Sequence, residues 1–407
     1  MADSDFLSSM PPEIIEKILV KLPIKEAVRT SVLSRKWKSS WASIPDLVFS
    51  ANTIESQLIE SVDKVLQMHQ GPILKFEVAL RTDQHVPEEA INRWLLILSK
   101  NGLKDLRLIF KFDGDCRVPS SLFSCHKLER LEIERCTLNA PQCFQGLKLL
   151  RDLTLAVCYL KGITIEKFVS VCPLLESLTL LGIVNQDCIA IRAPNLKQLD
   201  FLGPFNDFLL ETPKLISATI STYGLPFAFS DFSLPNDGCN SKLLRAMGAL
   251  SNIEKVKIDS DFCQYLASGL IPEKLLVTFH QLKWISIVLD DRTKVIDTAL
   301  CIFQKAPNLK TLCLKLPSQI IWDQQRITSI SFPKGLEVVV ICAFNDVVSL
   351  LEFAKFILST APQLEKLVID QWGFDNLDDR MGFLIELASF PRLSSKAVIL
   401  FDVSCRY

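Results

Sequence analysis

A short leucine pattern recurs through much of this chain and constrains its fold more than any other feature. The pattern reads Leu-x-x-Leu-x-Leu, with isoleucine or phenylalanine in place of some leucines, and its copies lie between residues 103 and 369. Successive copies start mostly about 19 to 29 residues apart, the spacing of leucine-rich repeats. The clearest copies begin at Leu128, Leu150, Leu175, Leu196, Leu309 and Leu364.

Each copy predicts a short strand that is followed by a connection through an outer helix. The alternation of the last three positions turns apolar side chains to one face of the strand. Residues 163–171 and 299–305 read as outer helices, and Cys-Pro, Ala-Pro or Thr-Pro pairs precede many repeats and end the helix before them. No single repeat can bury its own apolar face, so neighbours must stack into a solenoid. The predicted fold class is α/β, with parallel strands on the concave face and helices outside.

The residues between the inward leucines are expected to face the concave surface. They form a mixed polar set without a convergent nucleophile, base and orienting acid. A recognition surface and an ordinary solvated face both remain consistent with this pattern. Candidates for binding a target protein are Arg130, Glu132, Glu134, Asp152, Lys255, Lys257 and Trp284.

The longest interval between repeats, from Leu215 to Ile253, contains an aromatic segment with Phe227 and Phe229. Insertions in solenoids usually lie on one rim and often bind partners. The alternative is that these rings pack against the solenoid and cap its core. Both phenylalanines are therefore candidates for target binding.

The first forty residues predict three short helices. Residues 12–22 carry isoleucines and leucines at helical spacing, and Pro23 ends that helix. A second helix follows, and Ser34 suits the N-cap of a third helix that carries Trp37 and Trp41 one turn apart. So small a unit cannot bury these apolar groups alone, so it either caps the domain behind it or docks onto a partner.

This region resembles a plant-type F-box. The most specific match is Ala-Val-Arg-Thr-Ser-Val-Leu-Ser-Arg-Lys-Trp at 27–37, after Met-Pro-Pro-Glu-Ile-Ile at 10–15 and Leu-Pro at 22–23. The family more often has Lys-Arg before the tryptophan, where this chain has Arg35 and Lys36. F-box modules bind a small Skp-type adaptor that links them to a cullin ubiquitin ligase. The resemblance implies adaptor contact through residues among Leu7, Pro11, Pro12, Ile15, Ile18, Leu19, Leu22, Pro23, Val32, Leu33 and Trp37, some of which must instead join the three helices.

The C-terminal region predicts strand, helix, strand, helix, strand. It resembles the FBD domain that follows leucine-rich repeats in many plant F-box proteins, for example at Lys-Gly-Leu-Glu-Val-Val-Val-Ile (334–341) and Ala-Pro-Gln-Leu-Glu-Lys-Leu-Val-Ile (361–369). We expect this unit to close the open end of the solenoid. The predicted division is an F-box at 1–50, a connecting or capping segment at 51–100, leucine-rich repeats at 101–331 and an FBD-like domain at 332–407.

Sequence patterns that carry catalytic chemistry are missing. The 4 histidines have no metal-ligand or triad spacing, and no two of the 13 cysteines form a Cys-x-x-Cys pair. Glycine-rich phosphate loops are also missing, so we expect no enzyme activity, no cofactor and no metal. The formal net charge of -1 argues against bulk attraction to nucleic acid or to an acidic membrane.

The cysteines and the N-terminus bear on location. Cys136 and Cys158 occupy the repeat position that is asparagine or cysteine in leucine-rich repeats, so both are predicted to be structural. The N-terminus is acidic where a signal peptide is basic, and the sequence has no run of about 18 uncharged apolar residues. We expect an intracellular protein with reduced thiols, in the nucleus, the cytoplasm or both.

Together these observations predict a substrate-recognition subunit of a Skp–cullin–F-box ubiquitin ligase. Its expected partners are a Skp-type adaptor, a cullin reached through that adaptor, and a target protein of unknown identity, with neither nucleic acid nor membrane. The alternative is a leucine-rich-repeat scaffold that binds partners independently of ubiquitination.

Overall fold

The computed structural model describes residues 9–33, 35–50, 58–80, 86–110, 116–141, 144–183, 188–204, 207–221, 250–269, 277–290, 292–316, 333–344, 347–372 and 377–401. The chain divides into two compact units. The first comprises Met1–Gln186 with Ile191–Asn195, and the second comprises Asp187–Ala190 with Leu196–Tyr407.

The first unit starts with the three short helices that the sequence predicts. They are α1 (Pro12–Leu19), α2 (Ile24–Arg29) and α3 (Arg35–Ser40), and short 3₁₀ turns follow α2 and α3. Pro11 and Pro23 occupy the N-cap positions of α1 and α2, where the missing N–H of proline breaks no hydrogen bond. These prolines therefore fix where both helices begin.

A ladder of parallel strands forms the body of the first unit. Its members, in spatial order, are β1 (Asp46–Ser50), β2 (Lys75–Leu80), β3 (Asp105–Phe110), β5 (Arg130–Glu134), β7 (Asp152–Ala156) and β9 (Ser177–Leu181). A second, smaller parallel sheet comprises β4 (Arg117–Val118), β6 (Thr137–Asn139) and β8 (Tyr159–Lys161).

The leucine pattern sets the register of this ladder. Leu106, Leu131 and Leu153 are direct neighbours across β3, β5 and β7, and all three are buried. The intervening residues of these strands are half-buried or exposed, as period-2 alternation requires. The predicted parallel strands with one apolar face are confirmed.

The ladder begins well before the first recognisable leucine copy at Leu103. Residues 58–100 supply α4 (Leu58–Met68), β2 and α5 (Glu88–Lys100). Each strand from β1 to β2 is thus followed by a helix, as in a repeat. The indole N–H of Trp94 on α5 donates to Asp63 on α4 at 2.7 Å, and Arg93 pairs with the same carboxylate at 2.8 Å. The segment therefore contributes a strand and two packed helices to the first unit. The later outer helix α6 (Ile165–Ser170) lies within the predicted span 163–171.

The second unit contains a longer parallel ladder. Its strands in order are β11 (Gln198–Leu202), β13 (Ser217–Ser221), β14 (Lys255–Ile258), β15 (Trp284–Val288), β16 (Thr311–Leu316), β17 (Val338–Phe344), β18 (Lys366–Trp372) and β19 (Val398–Phe401). Its helices are α7 (Ser260–Gly269), α8 (Thr293–Gln304), α9 (Val347–Thr360) and α10 (Leu377–Ser389). Two further short strands are β10 (Cys188–Arg192) and β12 (Asp207–Glu211). The predicted strand–helix order of residues 332–407 is present in β17, α9, β18, α10 and β19.

Two cysteines predicted to be structural lie in the interior of the first unit. The thiols of Cys136 and Cys158 both donate to backbone carbonyls: Cys136 to Glu134 at 3.4 Å, and Cys158 to Ala156 at 3.3 Å. Burial raises the pKa of Cys158 to about 12. A thiol with so high a pKa is not a nucleophile near neutral pH, which supports a packing role.

Candidate interaction surfaces

The N-terminal helices separate the predicted adaptor residues into an interior group and an exposed group. Ile15 and Leu19 on α1 are fully buried, and Trp37 on α3 is 3% exposed. These three side chains form the interior of the three-helix unit together with Trp41 and Ala27. They therefore stabilise the helices, and in this conformation they are not available to a partner.

Large apolar side chains on the same helices are exposed at two places. Ile14 and Ile18 lie one turn apart on α1 at 42% and 36% exposure, and Val20 just beyond α1 is 45% exposed. Val32 and Leu33, between α2 and α3, are exposed at 87% and 43%. We name these five residues the N-terminal apolar surface. Sequence reasoning selected Ile18, Val32 and Leu33 but not Ile14 or Val20.

The remaining predicted adaptor residues are mostly at the surface. Pro11, Pro12 and Pro23 are exposed and Leu22 is half-buried, whereas Leu7 lies outside the described residues.

A hydrogen bond joins the first and last of the three helices. The Lys36 ammonium on α3 donates to the Met10 carbonyl just before α1, at 2.5 Å. Arg29 and Glu26 form a 2.8 Å ion pair along the exposed side of α2. The Lys36 hydrogen bond thus links α3 to the residues that precede α1.

The polar face of the first ladder carries alternating charges in register. Asp105, Arg130 and Asp152 are neighbours across three strands, and Arg130 reaches Asp105 at 3.3 Å and Asp152 at 3.1 Å. One step along the strands, Arg107 pairs with Asp105 at 3.2 Å and with Glu132 at 3.6 Å. We name this network the ion-pair ladder.

The ion-pair ladder raises the pKa of one of its arginines, Arg107. Burial acts to lower the pKa of Arg107, but the hydrogen bond to Asp105 and the nearby carboxylates outweigh burial and raise that pKa. The predicted target-binding residues Arg130, Glu132 and Asp152 all belong to this network, while Glu134 lies 3.5 Å from Arg135. Any partner of these side chains has to displace ion pairs that already exist.

The corresponding face of the second ladder differs in chemistry. Lys255 and Trp284 are neighbours across β14 and β15, and Lys257 lies beside Ser286. Within the described part of the chain, neither lysine forms an ion pair with a carboxylate. We name Lys255, Lys257 and Trp284 the Lys–Trp surface.

An apolar cluster continues the Lys–Trp surface toward the later strands. Its centre consists of the buried side chains of Cys313, Val340 and Val368, which are register neighbours on β16, β17 and β18. Trp284, Val338 and Cys342 are partly buried against that centre. The indole of Trp284 therefore has an apolar support on one side and lysines on the other.

Two residues that alternation assigns to the same polar face are buried instead. Asp259 is 2% exposed because it caps α7, accepting from the Phe262 backbone N–H and the Ser221 hydroxyl, both at 2.8 Å. Ser286 is 1% exposed beside the apolar cluster.

Phe227 and Phe229 lie outside the described residues.

Comparison with known proteins identifies the family. A model of the F-box domain matches residues 7–48, and a model described as "FBD-associated F-box protein At5g56370, LRR repeats" matches residues 91–313. The F-box/FBD/LRR-repeat protein At1g13570 of Arabidopsis thaliana is 35% identical over 418 residues, which cover 98% of both chains. This chain belongs to the plant F-box/FBD/LRR-repeat family.

Other similarities of this F-box/FBD/LRR-repeat protein are weaker. The F-box/FBD/LRR-repeat protein At5g56420 of Arabidopsis thaliana is 26% identical and covers 98% of this chain and 99% of its own. Among solved structures, an internalin of Listeria monocytogenes has a TM-score of 0.36 and 14% identity, covering 86% of this chain and 96% of its own.

The F-box match places the N-terminal apolar surface inside the F-box, and the repeat match covers both the ion-pair ladder and the Lys–Trp surface. Among the helices of the described residues, none has both the length and the apolar character that a membrane span needs. The described residues also include no group of three or more His, Cys, Asp or Glu placed to hold a metal ion.

Proposed function

We propose that this F-box/FBD/LRR-repeat protein is a substrate-recognition subunit of a Skp–cullin–F-box ubiquitin ligase. Its F-box binds a Skp-type adaptor, and its repeats bind a target protein. The mechanism is proximity: holding the target beside a ubiquitin-charged partner enzyme raises the effective concentration of the reacting groups. The chain itself forms no covalent bond during ubiquitin transfer. It acts in the nucleus, the cytoplasm or both.

The N-terminal apolar surface is the observation that carries this proposal. Its isoleucines, valines and leucine project from short helices whose interior is already filled by Ile15, Leu19 and Trp37. Several exposed large apolar side chains on so small a unit are typical of an interface. Fully burying one valine or leucine contributes about 1.5–3 kcal/mol, so a few of these side chains supply a useful part of a stable complex.

We propose that the target protein binds the Lys–Trp surface rather than the ion-pair ladder. A partner of Arg130 has to break existing ion pairs, and such exchanges contribute little net affinity. Lys255 and Lys257 form no such pairs within the described residues, and tryptophan is among the residues that most often dominate binding interfaces. An acidic segment with an apolar side chain complements lysines beside a supported indole.

Co-purification of the full-length chain with a Skp-type adaptor tests the adaptor half of the proposal. Val32→Glu places a charge on a side chain that is 87% exposed, so the fold is retained while adaptor affinity falls by about tenfold or more. Leu149→Glu is the matched control, because Leu149 is also exposed, at 44%, but lies outside the F-box match.

The proposal fails if the folded wild-type chain binds no adaptor, or if Val32→Glu and Leu149→Glu bind it equally well. The alternative, a repeat scaffold independent of ubiquitin, predicts that the target binds without adaptor and that its lifetime does not change. Measuring the lifetime of a bound target in cells with and without the Val32→Glu change separates the two functions.

A further inference from the structure

The F-box continues into the repeat ladder without an intervening linker. The 3₁₀ turn Trp41–Ser43 follows α3 directly, and only Ile44 and Pro45 separate that turn from β1. The match to the F-box model extends to residue 48, which lies within β1, the first strand of the ladder. One short stretch of chain therefore belongs both to the F-box and to the ladder.

Hydrogen bonds to the backbone of this stretch attach it to the segment that follows α4. The Ala42 carbonyl oxygen accepts from the N–H groups of Gln70 and Gly71 at 2.8 and 3.2 Å. A ring nitrogen of His69 lies 2.9 Å from the Ile44 carbonyl oxygen, within hydrogen-bond distance. Because Ala42 and Ile44 are both buried, breaking these bonds without full exposure to water leaves buried polar groups unsatisfied.

The turn and this segment also approach each other more closely than a side chain permits. A Cβ placed on Gly71 lies 2.9 Å from the Ser43 Cα and 3.0 Å from the Ser43 carbonyl oxygen, so the contact requires a glycine. Trp41 in the same turn is 4% exposed and belongs to the interior of the three-helix unit, while α2 contacts both the turn and β1. Opening the helices therefore disturbs the turn that holds the start of the ladder.

We propose that the F-box helices and the first two strands of the ladder, β1 and β2, open and close as one cooperative unit. A ligand that binds only the closed form stabilises every element that opens with it. An adaptor bound at the N-terminal apolar surface thus also protects β1 and β2. The cooperative unit follows from contacts within this chain, whereas its regulation by the adaptor rests on the proposed function.

Hydrogen exchange of the full-length chain, followed by mass spectrometry, tests the cooperative unit without any partner. Ile15→Ala removes a fully buried side chain from α1, and we expect peptides covering α1–α3, β1 and residues 69–80 all to exchange at least about tenfold faster. Val32→Ala is the matched control, because Val32 lies between α2 and α3 at 87% exposure, and it should accelerate none of these peptides. Acceleration confined to α1–α3 overturns the proposal. So does a protected β1 beside unprotected helices, should Ile15→Ala prevent those helices from folding.

Gly71→Ala perturbs the same junction from the ladder side. It changes no residue of the F-box match, yet it should accelerate exchange in α1–α3 as well as in β1 and β2. Gly335→Ala should not, because nothing lies within 4 Å of its added Cβ. If Gly71→Ala accelerates exchange in residues 69–80 alone, the helices open independently of the ladder and the proposal fails.

A saturating amount of purified Skp-type adaptor tests the regulation. We expect exchange to slow by about tenfold or more in β1 and residues 69–80 as well as in α1–α3. Slowing confined to α1–α3 overturns the proposed coupling but leaves the ubiquitin-ligase function standing. A folded chain that binds no adaptor contradicts that function and the regulation with it, and the Ile15→Ala and Gly71→Ala variants then decide whether the cooperative unit exists.

Discussion

Gly146 is a position where one methyl group should disturb the stacking of two repeats. Leu150 and Leu175 start consecutive copies of the leucine pattern, and Gly146 and Val171 precede them by the same number of residues. Gly146 has φ of +88°, and a Cβ placed on it lies 1.9 Å from the Val171 carbonyl oxygen and 2.8 Å from the Val171 Cβ. Gly146→Ala therefore forces the backbone of one repeat away from the next.

Two costs add in this substitution. The left-handed conformation costs a residue with a Cβ about 1–2 kcal/mol. Overpacking against a backbone carbonyl costs about 1–3 kcal/mol more. The expected loss is about 2–5 kcal/mol, a large part of the 5–15 kcal/mol that typically stabilises a folded domain.

Hydrogen exchange followed by mass spectrometry locates this loss in the chain. A loss of about 2 kcal/mol speeds exchange through local opening by about 25-fold, so peptides covering β7, α6 and β9 should exchange faster by at least that factor. Gly335→Ala is the control, because its φ is not positive and nothing lies within 4 Å of the added Cβ. Equal exchange of these peptides in the two variants would show that a Cβ at position 146 does not disturb the stacking of the two repeats.

Other predictions concern single side chains. Ile15→Ala should lower the free energy of unfolding of the F-box helices by about 2–5 kcal/mol, whereas Val32→Ala should change it by less than about 0.5 kcal/mol; thermal unfolding distinguishes them. Native Cys158 should resist alkylation, measured by mass spectrometry, while the exposed Cys188 reacts. Because burial raises the pKa of Cys158 from 9.0 to about 12, the stability it contributes is complete below pH 9 and is lost as the pH rises through about 12. Asp259→Ala should cost about 1–3 kcal/mol in urea unfolding by removing the α7 cap, and Asp259→Asn less.

The leucine pattern predicts the repeat architecture well because strand alternation and burial are local properties. It also contains the register: aligning Leu106, Leu131 and Leu153 brings Asp105, Arg130 and Asp152 together, so the ion-pair ladder could have been found from the sequence. Alternation alone does not show that these charged side chains form ion pairs with one another.

Tertiary context decides the residues that the pattern misplaces. Ile14, Ile15, Ile18 and Leu19 form one apolar stripe in the sequence, but only Ile15 and Leu19 are buried, because α3 covers one side of α1. The spacing of Asp259 in the sequence predicts an exposed residue. Asp259 is nevertheless buried, because its carboxylate caps the start of α7. The strand that starts at Asp46 precedes any recognisable leucine copy and shows no repeat signal.

The half-life of the bound target shows whether this chain acts as a subunit of a ubiquitin ligase. Cells would express the full-length wild-type chain or the Val32→Glu variant, and the turnover of proteins that co-purify with both would be measured after protein synthesis is blocked. We expect that the same proteins bind both forms, that the wild-type chain shortens their half-lives through the proteasome, and that Val32→Glu prolongs them. Equal half-lives with both forms, in the presence of normal target binding, would contradict this expectation.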